Sequence, residues 1–452
     1  MTVQGVRWTA DQVLALAPDT ASRRAGSGLG SAGPWSGTGS SGEGAVWGLC
    51  EGSGSTPYRT VVDLADDSGP AYRCSCPSRT LPCKHALGLL LLWAGDEGAV
   101  PQGEAPEWAG RWIGDRRGRA ERGKGAAPSS GPSSGPADPE AARRRAERRA
   151  GRVTAGASEL ERRLADLLRG GLAATERSGY GLWEETAARM VDAQAQGLAA
   201  RVRELGAIPG TGPGWPSRLL EECALLHLLD QGWLRRERLP EGLAATVRSR
   251  VGLPAPADGP PVRDRWLVLA QYDTADARLT TRRIWLYGTR SRRTSLLLSY
   301  GAAGRAPEPS LPVGLVLDAE LSAHPGAGQV RAALGERFAP PAPTTERPPG
   351  TTTTLATSRY GDALRDDPWL DSVPVTLDRV VPVPDGDSWQ LADADGDAAL
   401  PLVAAARSRP GLWRLVALSG GAPVKVFGEC GHRGFAPLAA WPEGPGEVVP
   451  LC

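Results

Sequence analysis

The 452-residue chain has 52 basic and 51 acidic residues, a formal net charge of +1, and a hydrophobic fraction of 41%. This near balance excludes a whole-chain field that would draw in nucleic acid or an anionic membrane, and the apolar content supports cores for two to three domains. No apolar run approaches the roughly 20 residues that span a bilayer, the longest being Leu87 to Ala94.

Lys occurs only at Lys84, Lys124 and Lys425, so nearly every base is Arg. With abundant Ala, Gly and Pro this is a GC-rich coding bias, and Arg content alone is weak evidence for phosphate recognition. The N-terminus, MTVQGVRWTADQVLALAP, lacks the charged start, apolar core and cleavage site of a secretory signal. Seven cysteines, an odd number spread thinly, fit a reducing compartment, and a cytoplasmic protein is the expectation.

Residues 1–110 read as one unit. Trp8 to Ala17 has helical periodicity, with Thr9 and Gln12 in a capping-box pattern. Ala21 to Gly44 is Gly- and Ser-rich, and its GSGLG and GTGSSG stretches read as flexible loops. Ala45 to Cys50 and Tyr58 to Leu64 read as a hairpin, and Ala86 to Ala94 as a buried helix, so the core of the unit is 45–94. Residues 111–157 are poor in apolar side chains and read as a disordered basic linker, with 12 basic against 5 acidic residues from Arg111 to Arg152. Its second half, Pro139 to Arg152, has the composition to become helical.

Residues 158–252 read as a small helical domain, with Leu160, Leu164, Leu167 and Leu168, then Leu219, Leu220, Cys223, Leu226 and Leu229, at helical spacing. After a Pro-rich break, 264–452 reads as a β-rich α+β region. Strands are expected at 265–271, 283–288, 295–300, 313–317, 373–383, 413–418 and 424–427, and a helix at Val330 to Phe338. The fold class is therefore α+β and multi-domain.

The chemistry concentrates in Cys74, Cys76, Cys83 and His85, which place three of the seven cysteines and one of four histidines within twelve residues. Zinc takes thiolate and imidazole ligands, and its structural sites are four-coordinate with no open position. Pro77 ends any strand after the first pair, the loop to Pro82 carries the chain around the ion, and His85 enters at the head of the apolar helix. Buried thiols, a disulfide and a catalytic zinc are the alternatives. A catalytic site keeps a position for water, whereas here protein fills all four.

The spacing Cys-x-Cys, six residues, Cys-x-His resembles the SWIM zinc finger at Cys74, Cys76, Cys83 and His85, with strands before it and an apolar helix after it. The wider N-terminal unit is similar to bacterial, actinobacterial-type SWIM proteins as far as residue 110. The resemblance implies one structural zinc ion and a role in protein interaction or DNA binding. A protein-interaction module is the first expectation. The alternative is nucleic-acid binding through Arg73, Arg79 and Lys84 on the finger rim and Arg143, Arg144 and Arg145 in the linker.

Elsewhere no motif for catalysis emerges: there is no Walker A loop, His-Glu-x-x-His or nucleophile elbow, and the chain is not expected to be an enzyme. Cys430-Gly-His432 repeats half of the zinc pattern without a second cysteine pair, Cys223 and His227 sit in a leucine-rich helix, and Asp393 to Asp397 reads as an acidic turn lacking a calcium loop's terminal Glu.

Overall fold

A computed structural model describes residues 7–452 apart from 15, 18–19, 43, 53–55, 65–69, 79–80, 97, 125–138, 276–278, 303–306, 308, 327, 329 and 445. Arg79 and the middle of the expected linker lie outside the described residues.

The N-terminal unit begins with α1 (Ala10–Leu14), closed by the expected reciprocal cap. The Thr9 N–H donates to Gln12 Oε1 at 2.9 Å, and the Gln12 N–H donates to Thr9 Oγ1 at 3.2 Å. Helix α2 (Thr20–Ser27) follows, then four antiparallel strands in sequence order, β1 (Trp35–Ser40), β2 (Ala45–Cys50), β3 (Tyr58–Asp63) and β4 (Ala71–Cys74). Helix α3 (Lys84–Gly95) packs on one face of this sheet and α4 (Glu107–Lys124) on the other.

Strand periodicity assigns the two faces. Val46, Cys50 and Val62 join the α3 core, while Ala45, Trp47, Val61 and Ala71 meet Ala109, Trp112 and Ile113 on the α4 side. Because α1, α2 and the sheet surround α3, that helix is apolar nearly all round, with His85 to Leu90 and Leu92 buried.

Two expectations are corrected here. The Gly-rich stretch at 21–44 supplies most of α2 and all of β1, with turns kept at 28–34 between them. Its glycines serve close packing: a Cβ on Gly26 would lie 2.7 Å from Leu87 Cβ, and one on Gly39 would lie 2.7 Å from the Trp47 ring. Within the expected 111–157 linker, 111–124 continues α4, whose Trp112 and Ile113 bury against the finger sheet, and 139–157 is helical. Two apolar residues one turn apart from Ala109 were enough to dock a helix that composition alone marks as unfolded.

The middle region comprises α5 (Pro139–Gly170), α6 (Ala173–Asp192), α7 (Gln196–Ala207), α8 (Trp215–Leu234) and α9 (Glu241–Arg250). Their shared core contains five of the leucines picked out by periodicity, Leu160, Leu164, Leu219, Leu226 and Leu229, with Val153, Met190 and Trp233, whereas Leu168 and Leu220 face solvent.

The C-terminal region holds two six-stranded sheets. In the first, β5 (Val262–Ala275), β6 (Leu279–Gly288) and β7 (Thr294–Ala302) form a meander, followed by β8 (Leu315–Ala323), β9 (Arg331–Arg337) and the short β10 (Ala342–Pro343). Strand β9 pairs parallel to β7 and antiparallel to β8, and β8 pairs with β5, so the sheet closes into a five-stranded barrel. Trp266, Val268, Ile284, Leu286, Leu297 and Leu317 fill it.

The second sheet contains β11 (Ser372–Asp385), β12 (Ser388–Asp393), β13 (Ala399–Pro401), β14 (Val424–Gly431), β15 (Gly434–Pro442) and β16 (Val449–Pro450), flanked by α10 (Thr353–Asp366), α11 (Ala404–Arg407) and α12 (Pro410–Ser419). Leu267, Leu269, Trp285 and Tyr287 on the outside of the barrel pack on Phe427, Leu438, Ala439 and Trp441 of this sheet.

Two elements depart from expectation. Val330 to Phe338 is strand β9, because the barrel needs a partner between β7 and β8. Trp413 to Leu418 is helical, bracketed by Pro410 at the helix start and Gly420 at φ +52 after its end. The finger unit also joins the barrel: Gln12 Nε2 donates to the Val313 carbonyl at 3.3 Å, and Trp8, Val13 and Leu16 share one core with the barrel interior.

Candidate metal centre

Strand β4 ends at Cys74, Cys76 lies in the turn that follows, Cys83 stands at the N-cap of α3 in extended conformation, and His85 occupies the first turn of α3. The sheet and the helix thus bring together ligands that the twelve-residue window only places near one another in sequence. One sulfur or imidazole nitrogen from each of the four lies within 4.8 Å of the others, and among the described residues this is the one such group of three or more metal-binding side chains.

The donor set fits zinc. Bonds of about 2.3 Å to sulfur and 2.0–2.1 Å to nitrogen, at tetrahedral angles, put sulfur and nitrogen about 3.6 Å apart. Cys74 Sγ and His85 Nδ1 are 3.7 Å apart. Cys83 and His85 are buried, Cys74 and Cys76 half-buried. Zinc held by these four residues would supply a crosslink between β4 and α3, with no open position for substrate.

Outer contacts orient the ligands. Thr60, buried in β3 directly across from Cys74, places Oγ1 3.2 Å from Cys74 Sγ. Tyr58 lays its ring over the His85 imidazole with centroids 4.8 Å apart. The tyrosine near the cluster therefore packs on a ligand. Neither contact has a motif of its own, but the hairpin register alone puts Thr60 opposite Cys74.

Among the protein groups alone, the sulfurs divide their protons unequally. A hydrogen bond with Cys83 holds the Cys74 thiol down to about 3 against the opposing effect of burial, with His85 and Thr60 adding to it. Cys83 is raised by that same bond to Cys74 and then by burial, and Cys76 is raised chiefly by burial. One sulfur is thus a ready thiolate, and zinc must displace the protons of the other two, so binding releases protons.

The remaining sequence candidates fall elsewhere. Arg73 follows Ala71 on the α4 face of β4, opposite in alternation to Cys74, and is exposed, as is Lys84. Arg143 and Arg144 on α5 pair with Glu147 at 3.0 Å and Glu140 at 3.6 Å, and Arg145 is exposed. Cys223 is buried, whereas His227 faces outward to Glu161 at 2.8 Å. His432 meets Tyr360 Oη at 3.1 Å while Cys430 is buried in the sheet core. Asp393 accepts hydrogen bonds from the Thr353 N–H and hydroxyl at the start of α10.

No helix among the described residues is long and apolar enough to cross a membrane. Comparison with curated proteins and with solved structures finds no match. Two family models match, one described as SWIM zinc finger over residues 58–94 and one as SWIM-associated four-helix bundle domain over 148–251. The first spans β3, β4, all four ligands and most of α3, and the second spans most of α5 and the helices to α9. The chain carries a SWIM zinc finger, with its Cys74, Cys76, Cys83 and His85 cluster positioned to hold one zinc ion, followed by a SWIM-associated four-helix bundle domain.

Proposed function

We propose that the zinc finger is the structural centre of a protein-interaction module and has no catalytic role. The observation that carries this is electrostatic. Residues 1–124, the finger unit with its docked α4, contain thirteen basic and thirteen acidic residues, so the unit offers no net positive charge to gather a phosphate backbone. Three thiolates around one divalent ion add negative charge. In the loop before Cys83, Leu81 stands 51% exposed, and Lys84 at the start of α3 is exposed as well, an apolar and a polar side chain open to a protein partner.

The nucleic-acid reading draws on Arg73, Lys84 and the α5 arginines. Against it stand the pairing of Arg143 and Arg144 with glutamates and the position of Arg73 on the α4 side of the sheet.

A crosslinking pull-down with the full zinc-loaded chain, run with and without nuclease, separates the two. The expected result is a partner protein retained after nuclease and in moderate salt, and lost with Leu81→Asp or Cys83→Ser. Capture abolished by nuclease, or binding that falls steeply with salt, would replace the protein-docking reading with the nucleic-acid one.

A further inference from the structure

We propose that a notch on the helical bundle, between α5 and the chain leaving α9, binds the phosphate group of a small phosphorylated molecule. The notch has a volume of about 230 Å³ and is lined by Arg145, Ala146, Arg149, Arg248, Leu253 and Pro254. Three cations from two helices converge there, and no carboxylate lines it.

Folding creates this cluster. Arg145 and Arg149 lie one turn apart on α5, about 6 Å along the helix axis, where like charges repel. Helix α9 then adds Arg248 from about a hundred residues away. Arg149 is tied into place, its Nη2 donating to the Gly252 carbonyl at 3.1 Å. Arg145 and Arg248 are exposed and make no ion pair among the described residues.

The surrounding arginines behave differently. Arg143 pairs with Glu147, Arg144 with Glu140 and Arg250 with Asp367, and Arg152 donates to Gln194 at 2.6 Å. Most of the flanking arginines therefore have partners, the exposed Arg148 of α5 being an exception, and three cations share the notch. That distribution suits one oxyanion better than an extended backbone, which would need a continuous track of free cations.

Guanidinium groups match phosphate oxygens with paired N–H donors, and three of them can engage separate oxygens of one tetrahedral group. Ala146, Leu253 and Pro254 give the notch an apolar wall beside the three cations. The volume leaves room for a small group carried by the phosphate.

The test uses the full zinc-loaded chain and inorganic phosphate, followed by ³¹P NMR line broadening, with Arg145→Gln/Arg248→Gln as the notch variant. Arg143→Gln/Arg144→Gln is the control. All four arginines are exposed, and thermal melting checks that both variants remain folded.

The expected result is saturable binding at one site per chain, weakened at least tenfold in the notch variant and less than twofold in the control. Absence of saturable binding, or an equal loss in both variants, would overturn the proposal. A mixed-sequence single-stranded oligonucleotide supplies the second arm. One engaged phosphate gives a log–log salt slope of about −0.7, whereas a slope of about −3 or steeper would replace the single-phosphate site with a backbone track.

Discussion

Thr60→Val tests whether the zinc cluster depends on its outer contacts. The hydroxyl lies 3.2 Å from Cys74 Sγ, and Thr60 is fully buried, so water cannot take its place. Valine keeps the shape and suits a strand. Hydrogen bonds to charged groups contribute about 1.5–3 kcal/mol. Because zinc and three further ligands share the charge, the lower end applies, roughly 1.5–2 kcal/mol, or about a 13- to 30-fold loss of zinc affinity. Competition against a chromophoric chelator at pH 7.5 measures it, with Thr60→Ser as the control that retains the hydroxyl. Affinity within twofold of the parent would show that the hydroxyl does not support the thiolate. Failure of the valine variant to load even at saturating zinc would show that Thr60 acts through packing instead.

Two further outcomes follow from buried groups. A Cβ on Gly88 would lie 2.6 Å from Leu29 Cβ and 3.0 Å from the Leu29 carbonyl oxygen, so Gly88→Ala should lose about 1–2 kcal/mol in urea unfolding through overpacking. Helix propensity alone would give a gain of up to about 1 kcal/mol, so stabilisation would contradict the close approach of residue 29 to α3. In the bundle, Asp230 is fully buried, and burial, then the charge of Glu161, push its carboxyl up to about 9. This acid has a raised folded pKa, so its favourable contribution is complete below about 4, where the unfolded carboxyl is also protonated. It is lost as pH rises toward 9, by up to about 1.4 kcal/mol per pH unit. Asp230→Asn should flatten the dependence of unfolding free energy on pH across that window and stabilise the bundle at neutral pH. An unchanged slope would mean that Asp230 is already ionised when folded.

The metal ligands were legible because cysteine and histidine are scarce here and zinc chemistry restricts which spacings can close a site. The α1 cap and the bundle leucines were legible for a related reason: each signal lies within a few residues and repeats at the period of its element. The strand at β9 and the helix at α12 were not. Their short apolar patterns suit either structure, and in β9 the choice fell to the barrel's need for a strand joining β7 to β8. Composition also misled at α4, where two apolar residues dock a helix that is otherwise charged and Gly-rich.

Sequence alone settled which four residues can gather around zinc, because ligand identity and local chain length are sequence properties. Only tertiary structure decided what surrounds them and what the arginines do. Thr60 and Tyr58 reach the cluster through strand pairing, and Arg73 is placed on the α4 side of the sheet by strand alternation. Arg145 and Arg248 come to line one notch only when the bundle assembles, since the field at any point depends on which charges share a surface and which already have partners.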